Sequence, residues 1–73
     1  MAITTLRAEI GASVWKIMAP AGSAVAAEDT LLILESMKME IPVQAPHAGT
    51  VEEVLVAEGQ AVEEGEPLAT LRA

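Results

Sequence analysis

A single lysine, Lys38, lies between Met37 and Met39 in the segment 35–40, whose sequence is ESMKME. The lysine side chain acts either as a solvated positive charge or, once its amine has lost a proton, as a nucleophile that can hold another group covalently. An isolated lysine is ordinarily a solvated positive charge. The residues around Lys38, and the turn on which they must lie, therefore decide which chemistry the sequence predicts.

The chain must reverse direction around Lys38 without any of the residues that usually form turns. Residues 31–35 and 40–43 are predicted to form two strands, and apolar and polar side chains alternate from Met37 to Gln44. Residues 36–39 contain no Gly, Asn, Asp or Pro, although the central residues of a two-residue hairpin loop take positive φ and prefer Asn-Gly. We therefore predict a strained loop at Met37 and Lys38, and strain of this kind is typical of functional sites.

The same hairpin register places Glu35 directly opposite Glu40. Like charges that face each other across two strands destabilise a sheet by roughly 0.2 to 1 kcal/mol, so the stability of the fold does not favour this pair. We infer that a binding partner outside the domain recognises the two carboxylates.

No other set of residues predicts catalysis or metal binding, so the protein is not expected to be an enzyme. The chain has no cysteine and one histidine, His47, which has no second ligand at metal spacing and is interpreted as a surface-loop residue. Glu63, Glu64 and Glu66 are interpreted as a solvated face, with docking to a partner as the alternative. Trp15, the only aromatic residue, is interpreted as a structural or partly exposed packing residue and given no role in a site.

Length and charge predict one small acidic domain, residues 1–73. Eleven Asp and Glu against four Lys and Arg give a formal net charge of −7, which repels nucleic-acid phosphates and anionic lipid headgroups. No apolar run approaches the ~20 residues that span a bilayer, and the first ten residues do not resemble an export signal. Because the lack of cysteine fits a reducing compartment, the sequence predicts a cytoplasmic protein that binds neither nucleic acid nor membrane.

An internal repeat relates Val14–Glu35 to Val51–Arg72 with an offset of 37 residues. Glycines and apolar residues recur together under this offset, as Gly22 and Gly59 do. Two copies are too few for an open solenoid. The two halves are therefore predicted to pack on each other in a closed, roughly two-fold arrangement.

One segment of the second copy carries conflicting signals. Residues 50–53 match a helix capping box and precede an apolar run that ends near a glycine. Their counterpart in the first copy, 13–20, has no capping glutamate, contains β-branched residues and ends in proline. Because one repeat should have one structure, we predict short strands throughout, an all-β protein. Turn signals separate the strands at Ala21-Gly22, Ala48-Gly49, Glu58-Gly59 and Glu64-Gly65.

The segment 35–40 resembles the biotinylation motif of biotin carboxyl carrier domains, in which the modified lysine lies between two methionines. The resemblance continues through Ala45-Pro46 and the runs 48–51 and 58–62, so it covers nearly the whole chain. It is closest to the small stand-alone biotin/lipoyl attachment proteins. It implies a flattened β-barrel, or barrel-sandwich hybrid, of two four-stranded antiparallel sheets related by quasi-two-fold symmetry.

The resemblance also implies a carrier function for Lys38. A biotin protein ligase would attach biotin to this residue, and the tethered biotin would carry carboxylate between biotin carboxylase and carboxyltransferase components. Glu35, Met37, Met39 and Glu40 would be the ligase recognition residues. Two alternatives are a lipoyl carrier, with lipoate on the same lysine, and an unmodified acidic interaction module. Lipoyl lysines usually follow aspartate, a place that Met37 occupies here.

Two features depart from the family pattern. The thumb-like insertion of acetyl-CoA carboxylase carriers is absent, which argues against membership of that complex. Residues 26–29 lack the glycine that Gly65 supplies at the equivalent turn of the second copy, so the sequence does not predict the geometry of the first turn.

Overall fold

The computed structural model describes residues 2–73, which form eight β-strands and no helix. The strands are β1 (Ile3–Arg7), β2 (Ala12–Ile17), β3 (Ala24–Val25), β4 (Thr30–Ser36), β5 (Met39–Gln44), β6 (Gly49–Val54), β7 (Ala61–Val62) and β8 (Pro67–Arg72). Within these residues there is accordingly no helix that could cross a membrane.

The strands form two four-stranded antiparallel sheets. One sheet has the order β1-β8-β6-β3, and the other, called here the hairpin sheet because it carries the loop with Lys38, has the order β5-β4-β2-β7. An offset of 37 residues places β1–β4 on β5–β8 and exchanges the two orders. The all-β fold and the two-fold arrangement predicted from the repeat are therefore confirmed.

The irregularities of the strands also repeat between the two halves. The pairing of β2 with β4 skips one residue between Val14 and Lys16, and the pairing of β6 with β8 skips one between Val51 and Glu53. A β-bulge of this kind adds an unpaired residue and increases the local twist. The segment with the helix capping box is thus strand β6, because pairing with β8 outweighs its local helical preference.

The core between the sheets consists of aliphatic side chains that recur in both halves. Leu31, Leu34, Leu68 and Leu71 are fully buried, and no buried polar or charged residue occurs in the described part of the chain. Burying one such side chain contributes about 1.5 to 3 kcal/mol. Leu31 and Leu34 belong to β4, so this packing anchors one arm of the hairpin that ends at Lys38.

The first turn takes the same conformation as its glycine-containing counterpart. Glu28 has φ 72° where Gly65 has φ 84°. The backbone N–H of Ala26 donates to the Asp29 carboxylate at 2.9 Å, as the equivalent N–H in the second copy donates to Glu66 at 3.1 Å. A non-glycine residue therefore accepts the left-handed conformation in the first copy.

Gly49 serves a different purpose from the turn expected there. Residues 46–48 form the bend, and Gly49 begins β6 with an ordinary φ. A Cβ at this position would collide with the backbone carbonyl of Arg72 on β8. The predicted turn at Ala48-Gly49 thus ends at Ala48, and Gly49 is required for the close approach of two backbones.

Candidate functional site

Lys38 lies in a two-residue hairpin loop between β4 and β5. Ser36 pairs with Met39, so only Met37 and Lys38 connect the two strands. Their φ angles are 52° and 66°, and positive φ at both central residues is the geometry of a type I′ turn. The strain predicted from the lack of turn residues is thus present in the backbone.

This loop conformation is unfavourable for the residues that adopt it. A left-handed conformation costs a non-glycine residue roughly 1 to 2 kcal/mol. The strands β4 and β5 pair over six positions from Thr30↔Gln44 to Ser36↔Met39, and this ladder holds the loop in place. The strain therefore yields a tight tip that presents a lysine at a defined position.

The side chains at the tip are directed into solvent. Met37 is 92% exposed and Met39 is 66% exposed, and Lys38 between them is exposed as well. Large apolar side chains are rarely this accessible without a partner, and the flexible thioether of methionine adapts to varied surfaces. Neither methionine contributes to the core of this domain.

Glu35 and Glu40 lie directly opposite each other, as the sequence predicted, and form the strand pair next to Ser36 and Met39, which close the loop. Both side chains are exposed. Within residues 2–73, the side chains that form an ion pair are those of Arg72 and Glu52, at 3.2 Å, and they belong to the other sheet. The two glutamates thus form an acidic pair beside Lys38 that no cation of the described chain neutralises.

Lys38 lies on an exposed tip, apart from two grooves of the domain. One groove, of about 410 Å³, follows β1 and β5, and the other includes Met18 and Asp29. Residues 2–73 hold no cluster of three His, Asp or Glu suited to a metal ion.

His47 proves to be a structural residue that links a loop to the edge of a sheet. Its Nδ1 donates to the Ala48 carbonyl at 2.9 Å, which leaves Nε2 to accept from the Thr4 hydroxyl at 3.0 Å. The residue is half-buried. It lies outside the Lys38 site.

Trp15 is partly exposed, as the sequence interpretation allowed. Its side chain is 48% exposed, and it occupies the bulge between Val14 and Lys16 on β2 of the hairpin sheet. The repeat also indicates an exposed position, because the equivalent residue of the second copy is Glu52, which would not be expected in the core.

Comparisons with known proteins agree with this geometry. A family model described as "Biotin-requiring enzyme" matches residues 2–71. The chain is 44% identical over 66 residues to a "Biotinylated protein TB7.3 homolog" of Mycobacterium leprae, covering 90% of this chain and 93% of that protein. It is 40% identical over 67 residues to a "Biotin/lipoyl attachment protein" of Bacillus subtilis, covering 92% of each.

A solved structure shares the whole fold. The Kluyveromyces lactis urea carboxylase matches with a TM-score of 0.92 and 33% identity, over 99% of this chain and 6% of that chain. The protein thus spans nearly all of its two small relatives but a minor part of the carboxylase. With a family model that extends over residues 2–71 and relatives of equal size, the chain belongs to the biotin/lipoyl attachment family.

Proposed function

We propose that the protein is a biotin carrier and that Lys38 is its attachment residue. The observation that carries the proposal is the exposed lysine at the tip of a strained two-residue loop, with Met37 and Met39 exposed on either side. The names of the relatives, a biotinylated protein and a urea carboxylase, support biotin as the attached group.

The chemistry assigned to Lys38 is that of a nucleophile. A biotin protein ligase supplies biotinyl-AMP, the deprotonated ε-amine attacks the acyl carbon, and AMP leaves as the amide bond forms. The modification lowers the formal net charge of −7 by one. When bound, biotin accepts and delivers carboxylate, and the domain contributes the presentation of its tether.

The residues around the loop are assigned to recognition by the ligase. Met37 and Met39 offer soft apolar contacts, and Glu35 with Glu40 offers negative charge to a basic partner. The downstream partners would be the biotin carboxylase and carboxyltransferase components of a carboxylase. The protein itself would carry no catalytic residue and would act in the cytoplasm.

The replacement Lys38→Arg tests the assignment. It keeps the positive charge but removes the acylatable amine, so we expect complete loss of biotin with an unchanged melting temperature. Streptavidin blotting and intact mass after expression with a biotin ligase measure the outcome, and Lys16→Arg, which alters the other lysine, is the matched control. Biotin retained on Lys38→Arg would refute the assignment.

A lipoyl carrier is the second candidate function, because the name of the Bacillus subtilis relative includes lipoyl attachment. The same intact-mass measurement separates the candidates, because biotin and lipoate add different masses to Lys38. A parent protein that acquires neither group in its native host would instead support an unmodified acidic interaction module.

A further inference from the structure

The outer surfaces of the two sheets share one backbone arrangement but differ in side chains. Leu32 and Leu34 are buried, so the alternation of β4 directs Ile33 and Glu35 outward. Pairing then places Lys16 and Pro42 beside Ile33. The outer surface of the hairpin sheet, called here the hairpin face, consists of Trp15, Lys16, Ile33, Glu35, Glu40 and Pro42.

The equivalent surface of the other sheet carries four polar or charged residues besides Thr5, with one ion pair among them, and a single exposed apolar side chain, Ile3, which is 52% exposed. Under the 37-residue offset its residues are Glu52, Glu53, Thr70, Arg72, Ile3 and Thr5. Glu52 replaces Trp15 and Arg72 replaces Glu35, and these two residues form the ion pair at 3.2 Å. On the hairpin face, the exposed Trp15 and the carboxylate of Glu35 occupy these two places, and a second carboxylate, Glu40, occupies the place of Ile3.

The stability of the fold does not explain why the two surfaces carry different side chains. Both surfaces sit on strands with matching register and matching bulges, so the backbone accepts glutamate at the position of Trp15 as readily as tryptophan. Exposing nearly half of a tryptophan side chain gains little stability. Tryptophan is, however, among the residues that contribute most to binding at protein interfaces.

We propose that the hairpin face, centred on Trp15, is the second part of the surface that docks the biotin ligase. This rests on the proposed function. Ile33 lies five residues from Lys38, about 17 Å along the strand, so the face continues directly from the loop. A specific interface buries about 800 Å² of each partner, more than a two-residue loop supplies, and the acidic pair selects a ligase surface with an apolar centre and a basic rim.

The experiment exchanges residues between the two equivalent surfaces. Trp15→Glu places on β2 the residue that β6 carries at the same site, and Trp15→Gln does so without added charge. We expect both variants to raise the KM of the ligase for the carrier about tenfold, with kcat nearly unchanged and melting temperatures close to that of the parent. Glu52→Trp on the opposite surface is the control, with kcat/KM within about twofold of the parent.

The remaining variant and the outcomes separate this inference from the proposed function. Trp15→Phe keeps the apolar surface and should retain most of the parental kcat/KM. Parental kcat/KM in both Trp15→Glu and Trp15→Gln would overturn the docking role, while the biotin carrier function would stand if the parent were still modified at Lys38. A parent that is not biotinylated at Lys38 would refute both.

Discussion

Removing the charges of the acidic pair, with Glu35→Gln and Glu40→Gln together, should stabilise the domain and slow its biotinylation. A two-residue loop is closed by a hydrogen-bonded pair, here Ser36 with Met39. The next pair, Glu35 with Glu40, is then of the non-hydrogen-bonded kind, whose Cα atoms lie only ~4.5 Å apart and whose side chains are closest. The repulsion between these carboxylates is therefore near the maximum that a sheet pair allows.

The magnitude follows from the exposure of both side chains. Two carboxylates ~6 Å apart in water repel by about 0.7 kcal/mol before salt screening, within the roughly 0.2 to 1 kcal/mol known for facing like charges. Relief of a repulsion of roughly 0.2 to 1 kcal/mol raises the melting temperature of a domain of this size by about 1 to 8 °C. Thermal unfolding followed by circular dichroism at low salt measures this shift.

The rate of biotinylation should change in the opposite direction. Complementary charge accelerates encounter with a basic partner, so kcat/KM of the ligase should fall about threefold to tenfold at 10 mM salt. The difference in kcat/KM between the double variant and the parent should become smaller as salt rises to 0.15 M, where charges are screened over ~8 Å. Glu63→Gln with Glu64→Gln removes the same charge far along the chain from the loop and is the matched control.

Two results would refute this reasoning. A double variant that is modified as fast as the parent at every salt concentration has lost nothing that the ligase recognises. A variant that melts below the parent shows that the two carboxylates stabilise the hairpin, which contradicts the argument from their register.

Three further changes test other parts of the structure. Met37→Asp should weaken biotinylation and admit lipoylation, because the choice of group is assigned to the flanking residues; equal rates with a purified biotin ligase would exclude Met37 from recognition. Glu28→Gly should raise the stability by about 0.5 to 1 kcal/mol, since it relieves a left-handed residue at φ 72°; Gly65→Glu is the reverse control in a melting experiment. Thr70→Val should stabilise by about 1 kcal/mol, because Oγ1 of Thr70 is buried without a hydrogen-bond partner; an unchanged denaturant midpoint would show that the hydroxyl is satisfied.

The repeat explains why so much of the fold could be predicted. The offset between the two copies was readable from residues such as Gly22 and Gly59, and it resolved the conflict at residues 50–53 in favour of a strand. The hairpin at Lys38 could also be predicted from the sequence. The predicted strands on either side leave only residues 36–39 for the loop, and these residues include no Gly, Asn, Asp or Pro to form it without strain. The positive φ of Met37 and Lys38 confirms that inference.

The sequence did not predict features that depend on how the two halves meet. Glu28 adopts a glycine-like conformation because the neighbouring Ala45 carbonyl accepts its N–H at 2.8 Å, a contact between distant segments. Gly49 is required by the close approach of the Arg72 backbone on β8. Local pattern carries no information on such long-range contacts.

Ala2 and Ala73 meet where symmetry would place a second hairpin. The backbone N–H of Ala73 donates to the carbonyl of Ala2 at 3.1 Å, and the offset of 37 residues maps these residues onto Ser36 and Met39. Two residues inserted between Ala73 and Ala2 would thus close the polypeptide into a ring with a type I′ turn at each pole. If Met-Lys were the inserted pair, one such ring would display two equivalent exposed lysines, and under the proposed function it would be a carrier with two attachment sites.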